Sequence, residues 1–353
     1  TLGWDTNWSK QFRPFLEQGL NMARVICEHR EAYDVAGESG ELRAEISGRF
    51  RYEHPVHTEW PAVGDWVAIA PRPEEGTATI HAVLPRRSRF SRKAAGDRTE
   101  EQVVAANVDL VFLVSSLDGD FNVRRIERYL TVAWDSGARP VIVLNKADIC
   151  PDVAGHVSEV ETTAFGTPVI TLSAATGQGL EELRAMLPPG TTGSFLGSSG
   201  VGKSSLVNAL IGKARQTTQA VRADDSRGRH TTTNRELIPL PNGGLVIDTP
   251  GMRELQVWAD DDGLGTTFSD VEALASQCRF GDCTHTGEPG CAVQAALDDG
   301  TLNRDRFHSY TKLQREIRYQ TLRQNQSARL IEKIHWKKIA KEIRRIERDK
   351  GNR

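Results

Sequence analysis

From Ala23 to about Phe90 the chain alternates apolar and polar residues in short stretches: Ala23–Cys27, Leu42–Ile46, Asp65–Ile69 and Thr77–Val83. Glycine, proline and acidic residues punctuate them, a pattern that predicts a small antiparallel barrel. From Asp109 the pattern changes. Apolar runs at Leu110–Val114, Val141–Leu144, Val169–Leu172, Ser194–Leu196 and Leu245–Ile247 alternate with amphipathic stretches at Arg124–Trp134, Leu180–Leu187 and Lys203–Ile211. That alternation predicts a mainly parallel sheet covered by helices on both faces. Beyond about Asp260 strands disappear, and a cysteine and histidine cluster is followed by helical stretches. Before residue 20, Trp4, Trp8, Phe12 and Phe15 are scattered through a polar segment without a firm period, which predicts at most a short helix.

These changes divide the chain into four parts. We expect an N-terminal extension over 1–19, a barrel over 20–95, an α/β domain over 96–262 and a helical domain over 263–353, a multidomain α/β protein.

Composition adds an asymmetry. The whole chain is nearly neutral, with 45 Lys/Arg against 47 Asp/Glu, but residues 301–353 carry 16 basic and 6 acidic side chains. A basic end on an acidic body suits a polyanion-binding arm. Trp336 with Lys333, Lys337, Lys338, Lys341, Arg344, Arg345 and Arg348 falls at helical spacing there, fitting a nucleic-acid contact or a solvated helix face. Arg86 to Lys93, where the chain leaves the barrel, forms a second basic patch. Barrels of this size frequently bind RNA through one face, so RNA is the favoured partner. The five cysteines, Cys27, Cys150, Cys278, Cys283 and Cys291, are odd in number and three fall within fourteen residues. Metal ligation in a reducing compartment explains this better than a disulfide framework. No apolar run approaches the roughly 18 residues of a membrane helix, and no signal peptide pattern opens the chain, so a soluble cytoplasmic protein is expected. The absence of heptads or repeats favours a monomer.

The candidate chemistry lies at the carboxyl ends of the apolar strands, where an open α/β sheet gathers its ligands. Gly197-Ser198-Ser199-Gly200-Val201-Gly202-Lys203-Ser204 follows one such strand and opens the helix that continues with Ser205. Its glycines permit a tight turn whose N–H groups converge on phosphates. Lys203 is expected to reach the β- and γ-phosphates, and the Ser204 hydroxyl to ligate Mg2+. Asn145-Lys146-Ala147-Asp148 follows another strand. A carboxylate at Asp148 can accept from guanine N1–H and its 2-amino group together, a pairing adenine cannot offer. Asn145 would bond the base edge and hold the loop, Lys146 would cover the ring face, and Ser173-Ala174 would present backbone N–H to O6. Asp248, after Leu245–Ile247, is expected to reach Mg2+ through water, with the Gly251 N–H facing the γ-phosphate.

Two departures follow. The base-reading loops precede the phosphate loop, and Asp248 to Gly251 comes last, whereas an ordinary GTPase runs from the phosphate loop to the base-reading loops. The two halves of the domain are exchanged across Pro188-Pro189-Gly190, making this a circularly permuted GTPase that binds GTP and GDP. Second, Met252 stands where small GTPases place a water-orienting Gln, and a thioether makes no strong hydrogen bond to water. Slow intrinsic hydrolysis follows unless another group substitutes. The polar stretch from Thr217 holds the candidates. One of Thr231, Thr232 and Thr233 should complete the magnesium shell, and Thr232 is our choice although spacing does not select it. His230 would orient the water, or else is an exposed loop histidine. Cys278, Cys283, His285 and Cys291 supply three thiolates and an imidazole, a closed and therefore structural Zn2+ shell.

With these residues in hand, the chain closely resembles one family, the bacterial small-ribosomal-subunit-dependent, circularly permuted GTPases of the RsgA type. The permuted motif order, Arg227 to Thr233, Asp248 to Gly251 and the Cys278 to Cys291 knuckle carry the resemblance over about residues 20 to 350. It implies an OB-fold barrel, a permuted GTPase domain and a zinc domain that bind the decoding region of the 30S subunit, hence 16S rRNA. It also implies GTP hydrolysis stimulated by that subunit late in its maturation and coupled to release. His230 resembles the histidine proposed as catalytic in that family. The residues alone reach only an RNA-associated GTPase. A large-subunit permuted GTPase, or a binding module that keeps nucleotide as a structural ligand, stays open at this point.

Overall fold

The computed structural model describes residues 2–30, 32–93, 101–212, 235–248 and 261–322. Its first five strands are β1 (Asn21–Glu28), β2 (Tyr33–Gly37), β3 (Gly40–Ile46), β4 (Trp66–Arg72) and β5 (Thr77–Val83). They run in the order β1-β2-β3-β5-β4, and β4 returns to pair with β1, closing a five-stranded, OB-like barrel. Only β3 and β5 are parallel among these pairs. Alternation dictates the interior: Leu42, Ala44 and Ile46 of β3 point inward to Val25, Val67, Ile69 and Ile80, while Glu41, Arg43 and Glu45 stay in water. Two helices attend the barrel. Helix α1 (Thr6–Leu16) starts at Asp5, whose carboxylate accepts from the N–H groups of Asn7 and Trp8. It lays Trp8 and Phe12 against Trp66 and Leu84 on the barrel's outer face. Helix α2 (Gly48–Glu53), capped by Ser47, follows β3.

A hairpin of β6 (Arg89–Lys93) and β7 (Glu101–Ala106) leads out of the barrel. The second layer is built on β8 (Leu110–Ser116), β9 (Arg139–Asn145), β10 (Val169–Thr171), β11 (Thr192–Leu196), β12 (Glu236–Pro239) and β13 (Leu245–Asp248). Their order is β10-β9-β8-β11-β13-β12, parallel throughout except that β12 is antiparallel to β13. Successive residues of β8 bury on opposite faces. Val111 and Leu113 join Ile126 and Leu130 of α3 (Val123–Asp135) and Val160 of α4 (Val153–Glu161). Leu110, Phe112 and Val114 join Leu183 of α5 (Leu180–Ala185) and Leu206, Val207 and Leu210 of α6 (Lys203–Ile211). Both faces are therefore dry, which is why the strands read as unbroken apolar runs.

The barrel and this sheet are continuous. Strand β1 pairs with β12 at Cys27 and Glu236, and Arg235 places a guanidinium nitrogen 2.5 Å from the Glu28 carboxylate beside that pairing. Past residue 260 come α7 (Asp261–Thr267), α8 (Ser269–Ala275), the cysteine cluster, α9 (Ala292–Asp298) and a helix over 304–322. Arg306, Tyr310, Leu313 and Ile317 are buried along one stripe of that last helix. Among the described residues no helix is long and apolar enough to cross a membrane.

The exit patch is less basic than its sequence. Arg86 turns inward, its Nε and Nη2 on the fully buried Asp65 carboxylate, Nη2 at 2.8 Å, with Nη1 donating to the Thr58 carbonyl and Nη2 also to the Trp60 carbonyl. A buried acid leaves this arginine to the barrel's interior. Arg87 holds Asp5 at 2.7 Å and lies over the Trp8 ring, and Arg92 donates to Gln102.

Candidate functional site

The phosphate loop leaves β11 and enters α6 with Gly200 and Gly202 at φ +82° and +97°, the left-handed region that side chains avoid. Gly202 is needed for a second reason: a Cβ there would stand 2.3 Å from the Asn145 amide nitrogen. The contact marks the joint between the two exchanged halves. Asn145, buried at the end of β9, donates from Nδ2 to the Val201 carbonyl at 2.7 Å and accepts the Ala174 N–H on Oδ1 at 3.0 Å. One amide thus ties the phosphate loop to both base-reading loops. Of the two roles expected for Asn145, loop holding is visible in its bonds. The Ser173 N–H donates to Gln178 O, so guanine O6 would share the Ala174 donor with Asn145.

Lys146 adopts φ +65° and reaches Asp118 Oδ2 at 2.7 Å, which extends its stem along the loop. Asp148 lies exposed in the short 3-10 turn Ala147–Ile149. Lys203 Nζ rests 2.6 Å from the carbonyls of Gly197 and Ser198, curled over the loop where phosphate oxygens would compete for it. Ser204 is exposed in the first turn of α6, and Asp248 ends β13, the parallel neighbour of the strand that feeds the loop. Both oxygen donors fit the hard ligands Mg2+ takes. His230, Thr232, Gly251, Met252 and the basic stretch around Trp336 lie outside the described residues.

Three residues here escaped the sequence reading. Asp118, Asp120 and Arg125 follow β8 and bracket the phosphate loop: Ser198 Oγ donates to Asp120 at 2.9 Å and receives from Arg125, which also grips Asp120 at 2.6 Å. Burial pushes the Asp118 carboxyl up, but donors from Lys146, the Asp120 N–H and Ser116 outweigh it and hold the group at about 2. Asp120 is also held below its usual range, chiefly by Arg125. A signal was present, since an acid just past the carboxyl end of a fully buried parallel strand stands where ligands gather.

The knuckle can be tested against zinc directly. The ligand atoms of Cys278, Cys283, His285 and Cys291 all lie within 4.8 Å of one another. Cys278 Sγ is 3.9 Å from Cys291 Sγ, and His285 Nδ1 is 3.6 and 3.4 Å from those two sulfurs. A tetrahedral Zn2+ with ordinary bond lengths requires S to S separations of about 3.8 Å and S to N of about 3.5 Å. The residues fit the ion. Their surroundings fit too: Gln294 donates its N–H to Cys291 Sγ and its amide to the His285 carbonyl, fixing the left-handed turn at His285. Cys27, His29 and Asp34 also converge. There the Asp34 carboxylate is already engaged by His29 at 2.7 Å and Arg43 at 2.9 Å, a satisfied protein network.

A phosphate loop, a base-reading loop and a Cys3His knuckle in permuted order invite comparison with known proteins. The family model of the RsgA GTPase matches residues 83–258. A small ribosomal subunit biogenesis GTPase RsgA of Opitutus terrae is 51% identical over 360 residues, covering 99% of this chain and 98% of that protein. The chain belongs to the RsgA family. A second relative, small ribosomal subunit biogenesis GTPase RsgA 2 of Lactiplantibacillus plantarum, is 49% identical over 94% of each chain. Among solved structures, YjeQ from Thermotoga maritima superposes with a TM-score of 0.63 at 30% identity, over 84% of this chain and 98% of its own. YloQ, described as a circularly permuted GTPase, gives 0.61 at 26% identity, over 85% and 95%. The family and the permuted domain are as the motif order implied, and the OB-like barrel is as the resemblance implied.

Proposed function

We propose that this GTPase binds the 30S ribosomal subunit through 16S rRNA and hydrolyses GTP to GDP and phosphate late in that subunit's maturation, in the cytoplasm. Hydrolysis is stimulated by the subunit and coupled to release. The observation that carries the nucleotide half is the Asn145 clamp, which assembles one guanine nucleotide site from loops in exchanged order. The ribosomal half rests on the names of the Opitutus and Lactiplantibacillus relatives.

In this reading Asp148, Lys146, Ser173 and Ala174 select guanine, and the loop from Gly197 to Ser205 wraps the phosphates. Lys203 leaves its two carbonyls for the β- and γ-phosphates. Ser204, Thr232 and Asp248 would hold Mg2+, which neutralises developing charge on the phosphates. His230 orients the attacking water in place of a glutamine, and the Gly251 N–H faces the γ-phosphate. The work divides among the barrel (20–95), the GTPase domain (96–262) and the zinc domain (263–353), whose Cys3His shell would hold one structural Zn2+. Co-sedimentation with purified 30S and 50S particles tests the partner. Retention on 30S with a non-hydrolysable GTP analogue, and loss with GDP, is expected; equal retention on 50S would favour a large-subunit role.

A further inference from the structure

A cavity of about 320 Å³ lies at the opposite end of the parallel sheet from the nucleotide loops. The starts of β9 and β11 form its floor, β1 and β4 of the barrel one wall, and the segment from Gly3 to Trp8 another. The Pro189–Thr192 bridge between the exchanged halves closes it. This joint is tight: a Cβ on Gly3 would meet the Gly190 carbonyl at 2.4 Å.

Its charged lining is mixed: Asp5 is paired with Arg87 and Asp109 accepts the Thr192 N–H, while Arg24, Arg139 and the Thr192 hydroxyl supply donors that no carboxylate takes. Arg24 is 2% exposed, yet its three hydrogen bonds go to the backbone carbonyls of Gly64, Leu2 and Asn107, and none to a carboxylate. Burial pulls its guanidinium down to about 10, with Asp109 and Asp65 only partly offsetting the loss of water. Buried charges in proteins are normally paired. Arg139 also lines the cavity, and no partner of its side chain is found among the described residues. Thr192, 1% exposed, carries a buried hydroxyl with no hydrogen-bond partner. A buried hydroxyl that bonds nothing is costly.

We propose that this cavity is a second ligand site, distinct from the GTP site, that takes a phosphate-class anion on Arg24, Arg139 and Thr192. Three donors on three separate strands suit an anion with three or four diverging oxygens better than a two-oxygen carboxylate. The volume falls in the range of small-ligand pockets, roughly 300–1,000 Å³, and leaves room for an organic group beside Trp4. A ligand there would bridge the N-terminal segment, the barrel and the base of the GTPase sheet, tightening their junction.

The test uses the full chain with its nucleotide site filled by a non-hydrolysable GTP analogue and Mg2+, so that added phosphate cannot enter there. Inorganic phosphate and ribose 5-phosphate are titrated by calorimetry. Saturable binding of about one equivalent, with a rise in Tm, is expected. Tighter binding of ribose 5-phosphate would identify an ester as the ligand; tighter binding of phosphate would identify the free ion. Arg139→Ala, an exposed position that folding does not need, should weaken binding at least about tenfold while GTP affinity stays unchanged. Thr192→Val should do the same and leave the unliganded protein as stable as before or more so, because it removes an unpaired hydroxyl. No saturable binding of either probe, or binding unaltered in Arg139→Ala, would overturn the proposal.

Discussion

Arg306 Nη1 of the helix over 304–322 lies 2.9 Å from Glu127 Oε1 of α3, and both side chains are buried. The same guanidinium holds Asp270 of α8 at 2.6 Å, so one cation joins the helices around the cysteine cluster to α3. Two positions before Glu127, Arg125 reaches the phosphate loop at Ser198. Helix α3 therefore contacts both the phosphate loop, through Arg125, and the C-terminal helices, through Glu127. Arg306→Met should destabilise the protein by about 3 kcal/mol, since it leaves the buried Glu127 carboxylate with the half-exposed Arg124 as its one remaining cation. The double variant Arg306→Met, Glu127→Met should recover much of that, as read by denaturant unfolding.

The Asn145 clamp gives a second expectation. Asn145→Ala leaves the Val201 carbonyl and the Ala174 N–H unpaired, costing about 1–3 kcal/mol for each group. Guanine nucleotide affinity should fall with it, because the two loops lose their common anchor. An isothermal titration showing wild-type GDP affinity would remove the clamp from the account.

For the phosphate and base contacts, Lys203→Ala should weaken GTP binding on the order of a hundredfold or more, given about 1.5–3 kcal/mol for each charged hydrogen bond. Asp148→Asn should shift preference from guanine to xanthine nucleotides, whose 2-oxo group suits an amide donor. A variant that keeps its guanine preference would place base reading elsewhere.

The Asp118 carboxyl links this site to pH. Its folded value of about 2 lies below the ordinary 3.8, so its contribution to stability is complete above about pH 4 and is lost as pH falls toward 2. Asp118→Asn should flatten that part of the acid-unfolding profile while leaving the neutral region nearly parallel. An unchanged acid limb would show that the Lys146 contact does not hold in solution.

Much of this arrangement was legible in the chain because strands buried on both faces print long apolar runs, and nucleotide loops follow them. Strand β2 was missed because Asp34 interrupts its short apolar pattern, and β12 because it has four residues and ends in Pro239. Arg86 was misread for a different reason. Sequence shows a charge but not its direction, and only the buried Asp65 explains why this arginine turns inward. The grip of Asp120 and Arg125 on Ser198 joins positions more than seventy residues apart and has no local signature.

Metal removal should separate the domains. Chelation, or Cys283→Ser, should release one zinc per chain and destabilise the C-terminal region, with weaker binding to 30S and GTP affinity mostly intact. Equal loss of nucleotide affinity would mean that the knuckle supports the GTPase domain itself.

GTP turnover by the purified protein with 30S, 50S or 70S particles tests whether the small subunit gates this GTPase. Stimulation by 30S of at least about tenfold, equivalent to about 1.4 kcal/mol of barrier, is expected, with His230→Ala losing it. Flat turnover with all three particles would contradict the account.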